Sequence, residues 1–259
     1  MQKKAFGGKI LLIRRSYVVA LALCAAVAAI FYVINHPGLV GTSARERALP
    51  IYSVQREDQA LSLTFNVAVT EDAHTIEVLR ALNAHGLRAT FFVTGDWIRE
   101  NGTLAAHLTE SGHELMNLSD DHRRLRRLSA AEIRENVLAC SDAIEAVTGA
   151  RPTVFRAPYG EYDDKVVALV EGLGMYAVQW SVDSGDWRGI EAGAIARNVQ
   201  TRAFPGAIVL LHSNLEQTAL AMPEILEGLL EKGYTIHPLS ELMLEAEFTV
   251  SGTGRQVPA

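Results

Sequence analysis

Residues 153–160 read Thr-Val-Phe-Arg-Ala-Pro-Tyr-Gly, a short apolar run that ends in an arginine and a proline-glycine turn. The run has the β-branched and aromatic residues typical of a buried strand, and the turn marks its end. An amphipathic helical pattern follows near 162–173, and a second apolar run follows that at 176–180. Strand, helix and strand in this order predict a βαβ unit, in which the two strands are parallel.

The same alternation extends from this unit in both directions. Strand candidates lie at 61–65, 89–93, 114–116, 153–155, 176–180, 207–211 and 235–236. Helix candidates lie near 72–85, 97–111, 129–148, 162–173, 190–203, 217–232 and 239–246. Such alternation predicts an α/β domain with a parallel sheet and crossover helices. Periodicity alone leaves an open doubly wound sheet and a closed barrel as alternatives.

The N-terminal region predicts a membrane anchor. Residues 17–34 (YVVALALCAAVAAIFYVI) form an uncharged apolar run of 18 residues, about the minimum length for a membrane-spanning helix. Five basic residues and no acidic one precede it within 1–16, so the positive-inside rule places 1–16 in the cytoplasm and the body of the chain outside. We predict a single-pass anchor, with a cleaved signal peptide of extended apolar core as the alternative.

The rest of the chain divides by composition. Residues 35–50 read as a linker, 51–246 as one domain, and 247–259, which contain Gly, Ser, Thr and Pro, as a flexible tail. Formal net charge is −6, and the five basic residues of 1–16 are offset by no acid, so the rest of the chain carries −11. An acidic body argues against nucleic acid as a partner.

Three motifs in the second half follow strand candidates. They are Phe155-Arg156-Ala157-Pro158-Tyr159-Gly160, Asp183-Ser184-Gly185-Asp186-Trp187 and Leu210-Leu211-His212. In this order and at this spacing they resemble the last three signatures of the polysaccharide deacetylases with a NodB-homology domain, carbohydrate esterase family 4. The resemblance implies a distorted (β/α) barrel of seven strands, with the site at the carboxyl ends of the strands.

The resemblance also implies a reaction. In this family an amide-bound acetyl group is hydrolysed by a water that a divalent metal, usually zinc, activates. One aspartate acts as general base, a second aspartate and two histidines hold the metal, and a further histidine is the general acid.

The first half departs from the family pattern at the metal and base motifs. Residues 64–67 read Thr-Phe-Asn-Val where the family usually has Thr-Phe-Asp-Asp. Residues 118–122 read Leu-Ser-Asp-Asp-His where the family usually has His, then Ser or Thr, then two variable residues and His.

These departures fall on the residues that carry the chemistry. Asn66 occupies the base position, and an amide is not basic near neutral pH. Val67 and Leu118 occupy two of the three metal-ligand positions and offer no lone pair. His122 is the remnant of the metal triad, and one neutral ligand does not hold a divalent ion at useful affinity.

Nearby carboxylates are the candidates for replacement ligands. Glu71, Asp72, Asp120 and Asp121 could supply oxygen atoms to an ion. We favour the other interpretation of Asp120 and Asp121, in which they belong to a charged surface loop, because neighbouring residues rarely converge on one ion without a dedicated loop.

By the same resemblance, the retained motifs of the second half would orient the groups of the site and supply a proton donor. By resemblance, Arg156 would orient the side chain at position 66. The backbone N–H of Tyr159, in a turn shaped by Pro158 and Gly160, would face a developing oxyanion.

The last two motifs would complete the site. Asp186 would hold His212 as a charged general acid. Trp187 and Leu210 would line the pocket for the acetyl group.

Two further stretches indicate a branch of the family. Residues 47–54 and 90–97 are similar to those of the short, membrane-anchored PdaB-like sporulation branch. This branch implies a role at cell-wall or spore peptidoglycan, with N-acetylglucosamine or N-acetylmuramic acid as the nominal substrate.

Two functions follow, one favoured and one alternative. We favour a catalytically impaired protein at the outer face of the membrane that needs no cofactor. Its partner would be either wall glycan or another protein of the envelope or spore. The alternative is an active amidohydrolase with a rearranged site that uses a divalent metal such as zinc. Removal of both metal and base should cost many powers of ten in rate.

Overall fold

The computed structural model describes residues 23–28, 31–32, 48–68, 74–245 and 247–259. The chain divides into two units, Met1–Arg47 and Ala48–Ala259. In the first unit, the described residues 23–28 and 31–32 are helical and exposed. A search of the described residues finds no helix with the length and apolar character needed to span a bilayer. Most of the predicted anchor at 17–34, all of the tail 1–16 and most of the linker 35–50 lie outside the described residues.

The second unit is built on alternating strands and helices. Its strands are β1 (Ser53–Val54), β2 (Ala60–Val67), β3 (Thr90–Val93), β4 (Glu114–Asn117), β5 (Val154–Phe155), β6 (Tyr176–Ala177), β7 (Val182–Asp183), β8 (Ile208–His212), β9 (Thr235–Ile236), β10 (Phe248–Val250) and β11 (Arg255–Pro258). Its helices are α1 (Thr75–Ala84), α2 (Gly95–Glu100), α3 (Gly102–Glu110), α4 (Ala130–Thr148), α5 (Asp164–Glu171), α6 (Ala192–Arg202), α7 (Glu216–Glu231) and α8 (Leu239–Leu242).

The main sheet has eight strands, and all the described pairings within it are parallel. Seven strands run in the order β6-β5-β4-β3-β2-β8-β7, and β9 pairs with β2. The predicted alternation of strands and helices around a parallel sheet is therefore confirmed. Because all the strands point the same way, their carboxyl ends meet at one edge of the sheet, where parallel α/β folds place their sites.

The two ends of this sheet are close along the chain. The predicted strand 176–180 is interrupted: β6 ends at Ala177 next to β5, and β7 begins at Val182 next to β8. β6 and β7 are the two edge strands of this sheet, and a short segment of chain joins them. Because the two edges must therefore lie near each other, the sheet curves into a half-barrel. The residues leading into β1 bridge to the same region, since Ile51 pairs with Val178 and Ser53 with Ala207.

β2 shows how the strand period separates core from site. Leu61, Leu63 and Phe65 are fully buried and belong to the larger apolar cluster, which includes the inward residues of α1, α6 and α7. Thr64 and Asn66 alternate with them and therefore point to the opposite side of the sheet. Asn66 consequently faces the barrel side, where the carboxyl ends of the strands converge.

The helix bounds agree closely with the sequence pattern, with two differences. The predicted helix 97–111 is two helices, because α2 ends at Glu100 and α3 begins at Gly102. The predicted helix 239–246 ends at Leu242. α4 begins at a capping box formed by Ser129 and Glu132, which suits its predicted start.

The prediction of a flexible tail at 247–259 is wrong. These residues form the antiparallel hairpin β10–β11, and β11 pairs in parallel with β1. Gln256 is fully buried, and its side chain accepts from the N–H of Leu244 at 3.0 Å. The small polar residues of this segment suggested a loose tail. In the structure, pairing with β1 satisfies backbone groups of the segment. The local sequence could not predict this pairing because β1 lies about two hundred positions earlier in the chain.

Candidate functional site

A cavity of about 340 Å³ opens at the carboxyl edge of the sheet. It is lined by Asn66, Ala68, His122, Tyr159, Trp180, Asp183, Trp187, Leu210 and His212. Six of the predicted site residues are in this lining. The structure therefore brings together side chains that the sequence separates by almost 150 positions.

Asn66 lies at the back of the cavity because β2 places it there. In the sheet its Cα pairs with Phe92 on β3 and with His212 on β8. Its side-chain oxygen accepts a hydrogen bond from Nη1 of Arg156 at 3.0 Å. The predicted contact between Arg156 and position 66 is present, with an amide as the acceptor.

Arg156 is wholly buried behind Asn66. Its Nη2 donates to Oγ1 of Thr64 at 2.9 Å and to the carbonyl of Gln179 at 3.1 Å, and its guanidinium lies 3.8 Å from the ring centroid of Phe92. These acceptors are neutral, and Nε has no partner among the described residues. Burial lowers the pKa of Arg156 to about 9.

His212 is held by Asp186, as the motifs imply. Nδ1 of His212 lies 2.9 Å from Oδ1 of Asp186, and the His212 N–H donates to Oδ2 at 2.6 Å. Trp187 N–H and the Thr218 hydroxyl also donate to this carboxylate. Nδ1 is thus occupied, and Nε2 is the ring nitrogen left for a ligand.

Asp186 stays ionised in this network. Burial raises the pKa of its carboxyl, but the hydrogen bonds and charge of His212, with the bond from Thr218, outweigh burial and hold the pKa below its usual range. A charged Asp186 favours a proton on Nδ1 of His212. A histidine held by a carboxylate in this way can donate a proton as a general acid.

The positions of the lost metal ligands are closed by apolar packing. Val67 and Leu118 are both fully buried in apolar clusters, and neither lines the cavity. His122 does line the cavity, and its ring contacts the Tyr159 ring in a tilted arrangement, with centroids 4.6 Å apart and planes at 53°. Burial lowers the pKa of His122 to about 4, so its ring is neutral at neutral pH.

The described residues do not fit the metal that the family implies. They contain no group of three His, Cys, Asp or Glu side chains able to hold an ion. Asp120 is bound by Arg99, and Asp121 by Arg123 and Asn136, which supports the surface-loop interpretation. Glu71 and Asp72, the other candidate ligands, lie outside the described residues.

Strained backbone clusters around the cavity. The described non-glycine residues with positive φ are Ser119 (72°), His122 (55°) and Tyr159 (60°). Two of the three line the cavity, and Ser119 Oγ accepts from the His122 N–H. Such strain persists where the surroundings enforce it, which is frequent at functional sites.

Aromatic side chains form the outer wall of the cavity. Tyr159 and Trp187 are each 56% exposed, far more than most aromatic residues of the domain. Leu210, by contrast, is buried at the base, and Pro158 is buried beneath the turn without lining the cavity. An apolar ring face beside hydrogen-bonding groups suits the amphipathic face of a sugar.

Besides Ala68, two lining residues, Trp180 and Asp183, were not predicted as site residues. Both lie at or beyond the carboxyl ends of strand candidates, which is the signal that could have found them. Asp183 accepts from the Trp187 indole N–H at 3.2 Å and from the Gly185 N–H at 2.8 Å. It therefore sets the orientation of Trp187.

Comparison with known proteins agrees with this geometry. The family model described as polysaccharide deacetylase matches residues 53–178. A chitooligosaccharide deacetylase of a Bradyrhizobium species is 34% identical over 214 residues, which cover 75% of this chain and 98% of the relative. The chain belongs to the polysaccharide deacetylase family.

Other members of the family have the same domain within longer proteins. The peptidoglycan-N-acetylglucosamine deacetylase PgdA of Listeria monocytogenes is 34% identical over 187 residues, which cover 72% of this chain. The chain spans only 39% of that relative's length. The likeness to PgdA therefore concerns one polysaccharide deacetylase domain of a larger protein.

Solved structures include a pseudoenzyme of the family. BA3943 from Bacillus anthracis, a carbohydrate esterase family 4 pseudoenzyme, superposes with a TM-score of 0.72 at 30% identity, covering 81% of this chain and 71% of that one. A mutant of BA3943 with restored enzymatic activity superposes equally well. This chain thus shares its fold with BA3943, a family member that keeps the fold as a pseudoenzyme and regains activity when mutated.

Proposed function

We propose that this chain is a membrane-anchored polysaccharide deacetylase-family protein that binds wall glycan outside the cell membrane and is catalytically impaired. One observation carries the proposal. The cavity keeps its aromatic wall and the Asp186–His212 pair, whereas the base position is an amide and two ligand positions are buried apolar residues. Sugar binding needs the aromatic wall, whereas hydrolysis also needs the general base and the metal ligands whose positions are altered here.

The nature of the glycan follows from the relatives. Two relatives act, by name, on chitooligosaccharides and on peptidoglycan N-acetylglucosamine, and a third on peptidoglycan N-acetylmuramic acid. N-acetyl amino sugars of the cell wall are therefore the ligand class that we propose for this chain. Binding of these sugars without hydrolysis needs no metal.

The location follows from the sequence. The apolar run 17–34 and the basic residues before it support a single-pass anchor with a cytoplasmic N-terminus and an extracytoplasmic domain. The similarity of 47–54 and 90–97 to the sporulation branch supports a role at the spore wall. An envelope or spore protein is a second kind of partner at this surface.

The intact Asp186–His212 pair favours one alternative function. A general acid with its orienting carboxylate is useful to an amidohydrolase and unnecessary for binding alone. The alternative is removal of N-acetyl groups from wall amino sugars by a rearranged site with a bound divalent metal, to which Glu71 or Asp72 would contribute.

Metal content and acetate release discriminate these two functions. The full-length chain, purified in a mild detergent, is analysed for bound divalent metal and assayed on chito-oligomers and peptidoglycan with added zinc or cobalt. We expect no stoichiometric metal and no acetate. The triple variant Asn66→Asp, Val67→Asp, Leu118→His serves as the positive control, and metal with acetate release in the wild type would overturn the proposal.

Glycan binding itself is tested at the aromatic wall. The Trp187→Ala variant should weaken binding of chito-oligosaccharides in the presence of a chelator by about ten-fold or more, since it removes an exposed stacking face. Tyr176→Ala is the matched control, because Tyr176 is also an exposed aromatic (45%) but lies outside the cavity. Equal binding by wild type and the Trp187 variant would contradict a sugar site at this wall.

A further inference from the structure

Four arginines lie together in one short loop beside the cavity. Residues 123–127 read Arg-Arg-Leu-Arg-Arg and follow His122 directly, with no acid among them. The chain after residue 16 carries a net charge of −11, so this dense run of cations contrasts with the charge of the domain. None of the four arginines belongs to the catalytic or ligand positions described above. Residues 123–127 are called the arginine loop below.

Buried leucines fix the backbone of the arginine loop and turn its cations outward. Leu125–Arg127 is a 3₁₀ helix, in which residues three apart lie on the same face. Leu125 and Leu128 are three residues apart, and both pack on the third apolar cluster of the domain. Arg126 and Arg127 lie between them and are exposed. The loop therefore presents its guanidinium groups to solvent from a fixed backbone.

The two arginines at the start of the loop are paired with acids. Arg123 forms an ion pair with Asp121, and Arg124 forms one with Glu161. The guanidinium of Arg124 also lies 4.5 Å from the ring centroid of Tyr159, which lines the cavity. The arginine loop and the mouth of the cavity therefore adjoin each other through one aromatic side chain.

The two arginines at the end of the loop are unpaired. Within the part of the chain that the structure describes, the side chains of Arg126 and Arg127 form no ion pair or hydrogen bond. The ammonium group of Lys165 lies beside the end of the loop, since it donates to the Leu128 carbonyl at 2.7 Å. Glu132, the first acid after the loop, accepts from the backbone at the start of α4. The surface at the loop therefore has more cations than acids available to pair with them.

The cavity itself is a poor place for an acid. Asp183 lines it, and no cation among the described residues pairs with that carboxylate. His122 is neutral at neutral pH, because burial lowers its pKa to about 4. The charge that His212 can carry is matched by Asp186, and Arg156 does not line the cavity. A carboxylate on a ligand is therefore disfavoured inside the cavity and attracted to the loop outside it.

We propose that the arginine loop binds the carboxylates of an acidic peptide attached to the glycan whose sugar occupies the cavity. The inference rests on the proposed function and deepens it, because the bound glycan would bring the peptide to the loop. Arg126 and Arg127 would hold the carboxylates, since the planar fork of a guanidinium matches the two oxygens of a carboxylate. The cavity would hold only the neutral sugar.

The chemistry of peptidoglycan supplies such a ligand. Two relatives of this chain are named for peptidoglycan, a polymer in which short peptides with free carboxylates are attached to the sugars. The carboxyl group of each peptide-bearing sugar is consumed in the amide bond to its peptide. The negative charge therefore belongs to the peptide and lies outside the sugar ring, which suits a cationic loop beside the mouth of the cavity.

The experiment compares ligands that differ only in the charge of the peptide. The full-length chain, in a mild detergent with a chelator, is titrated calorimetrically with a short peptidoglycan fragment that carries its peptides. The same fragment with the peptide carboxylates converted to amides, a neutral chito-oligosaccharide and the free peptide are titrated in parallel. We expect the acidic fragment to bind about five-fold or more tightly than its amide, and added salt to narrow this difference.

The loop is tested by the double variant Arg126→Gln, Arg127→Gln. It removes the two unpaired guanidinium groups, so it should abolish the preference for the acidic fragment and leave binding of the amidated fragment unchanged. Both side chains are exposed, and the thermal midpoint should stay within about 2 °C of the wild type. Arg80→Gln is the matched control, because Arg80 is an exposed arginine on α1 and should not affect the preference. The wild-type ratio decides by itself if the double variant does not fold.

The outcomes separate this inference from the proposed function. Equal binding of the acidic and the amidated fragment overturns the role of the arginine loop and keeps the glycan function. A preference that persists in the double variant also overturns it, since the carboxylates are then bound elsewhere. Binding of the free peptide without binding of the neutral chito-oligosaccharide or the amidated fragment keeps the loop and removes the glycan function. Tighter binding of a glycerol phosphate polymer than of the acidic fragment, at equal charge, would overturn the peptide as the partner.

Discussion

At the residue scale, Asn66 and Arg156 show the effect of an amide nitrogen in place of a carboxylate oxygen. An amide and a carboxylate have nearly the same shape, so the strand, its register and the hydrogen bond to Arg156 are compatible with either. They differ in charge and basicity. The amide keeps the contact but leaves the guanidinium without a countercharge, so nothing offsets the burial that lowers the pKa of Arg156.

The Asn66→Asp variant is expected to stabilise the fold. A carboxylate beside a wholly buried Arg156 restores an ion pair, which should raise the free energy of unfolding at pH 7 by about 1–3 kcal/mol. Denaturant-induced unfolding measures the change. Asn66→Ser, which is neutral, is the control and should not stabilise. A variant no more stable than the wild type would show that Arg156 needs no counterion.

His113 gives the fold a dependence on pH. Its Nδ1 accepts from the Ala89 N–H at 3.1 Å, and burial, helped by Arg88, lowers its pKa to about 4. The folded state thus binds fewer protons than the unfolded state between about pH 4 and pH 6.5, so stability falls as the pH is lowered through this window.

The His113→Gln variant should reduce this pH dependence. The histidine accounts for up to about 3 kcal/mol of the loss between pH 6.5 and pH 4. Thermal unfolding at half-unit pH steps gives the slope, and His107→Gln, on the exposed side of α3, is the control that should leave it unchanged. An unaltered slope in the His113 variant would assign the dependence to other groups, of which His122 is the first to test.

At the element scale, the C-terminal hairpin is a structural part of the domain. β10 and β11 extend β1, and the segment around β1 bridges to the residue after β6 and the residue before β8, through Ile51 to Val178 and Ser53 to Ala207. The Gln55 N–H donates to the carbonyl of Gln256, and the Gln256 side chain bonds both backbone groups of Leu244. One buried glutamine therefore joins three segments.

The Gln256→Ala variant tests the hairpin. Removing a fully buried side chain that satisfies two backbone groups should lower the free energy of unfolding by about 1–3 kcal/mol. Thr249→Ala, on the exposed side of β10, should change it by less than about 0.5 kcal/mol. Chemical denaturation measures both, and equal stability of the two variants would restore the interpretation of 247–259 as a loose tail.

At the scale of the whole molecule, the unit Ala48–Ala259 contains the half-barrel, its apolar clusters and the cavity. The residues that the sequence assigns to the anchor belong to the other unit. The proposed anchor and the proposed binding site therefore lie in different units of the chain.

Deletion of residues 1–47 should therefore move the protein without unfolding it. We expect the full-length chain in the membrane fraction and the deleted chain in the soluble fraction, with thermal midpoints for the domain within about 2 °C of each other. Fractionation and calorimetry give both values. A soluble full-length chain would contradict the anchor, and a large drop in midpoint would contradict the independence of the domain.

The sequence by itself determined the alternation of strands and helices, the family and the identity of the altered residues, because strand period, helix period and motif order are local or ordered along the chain. Asn66, Val67 and Leu118 can be read without coordinates. The tertiary structure decided what those changes mean. Only packing shows that Val67 and Leu118 are sealed in the core, that Arg156 has neutral partners, and that residues 247–259 pair with β1. These depend on contacts between residues far apart in sequence, and no local pattern encodes them.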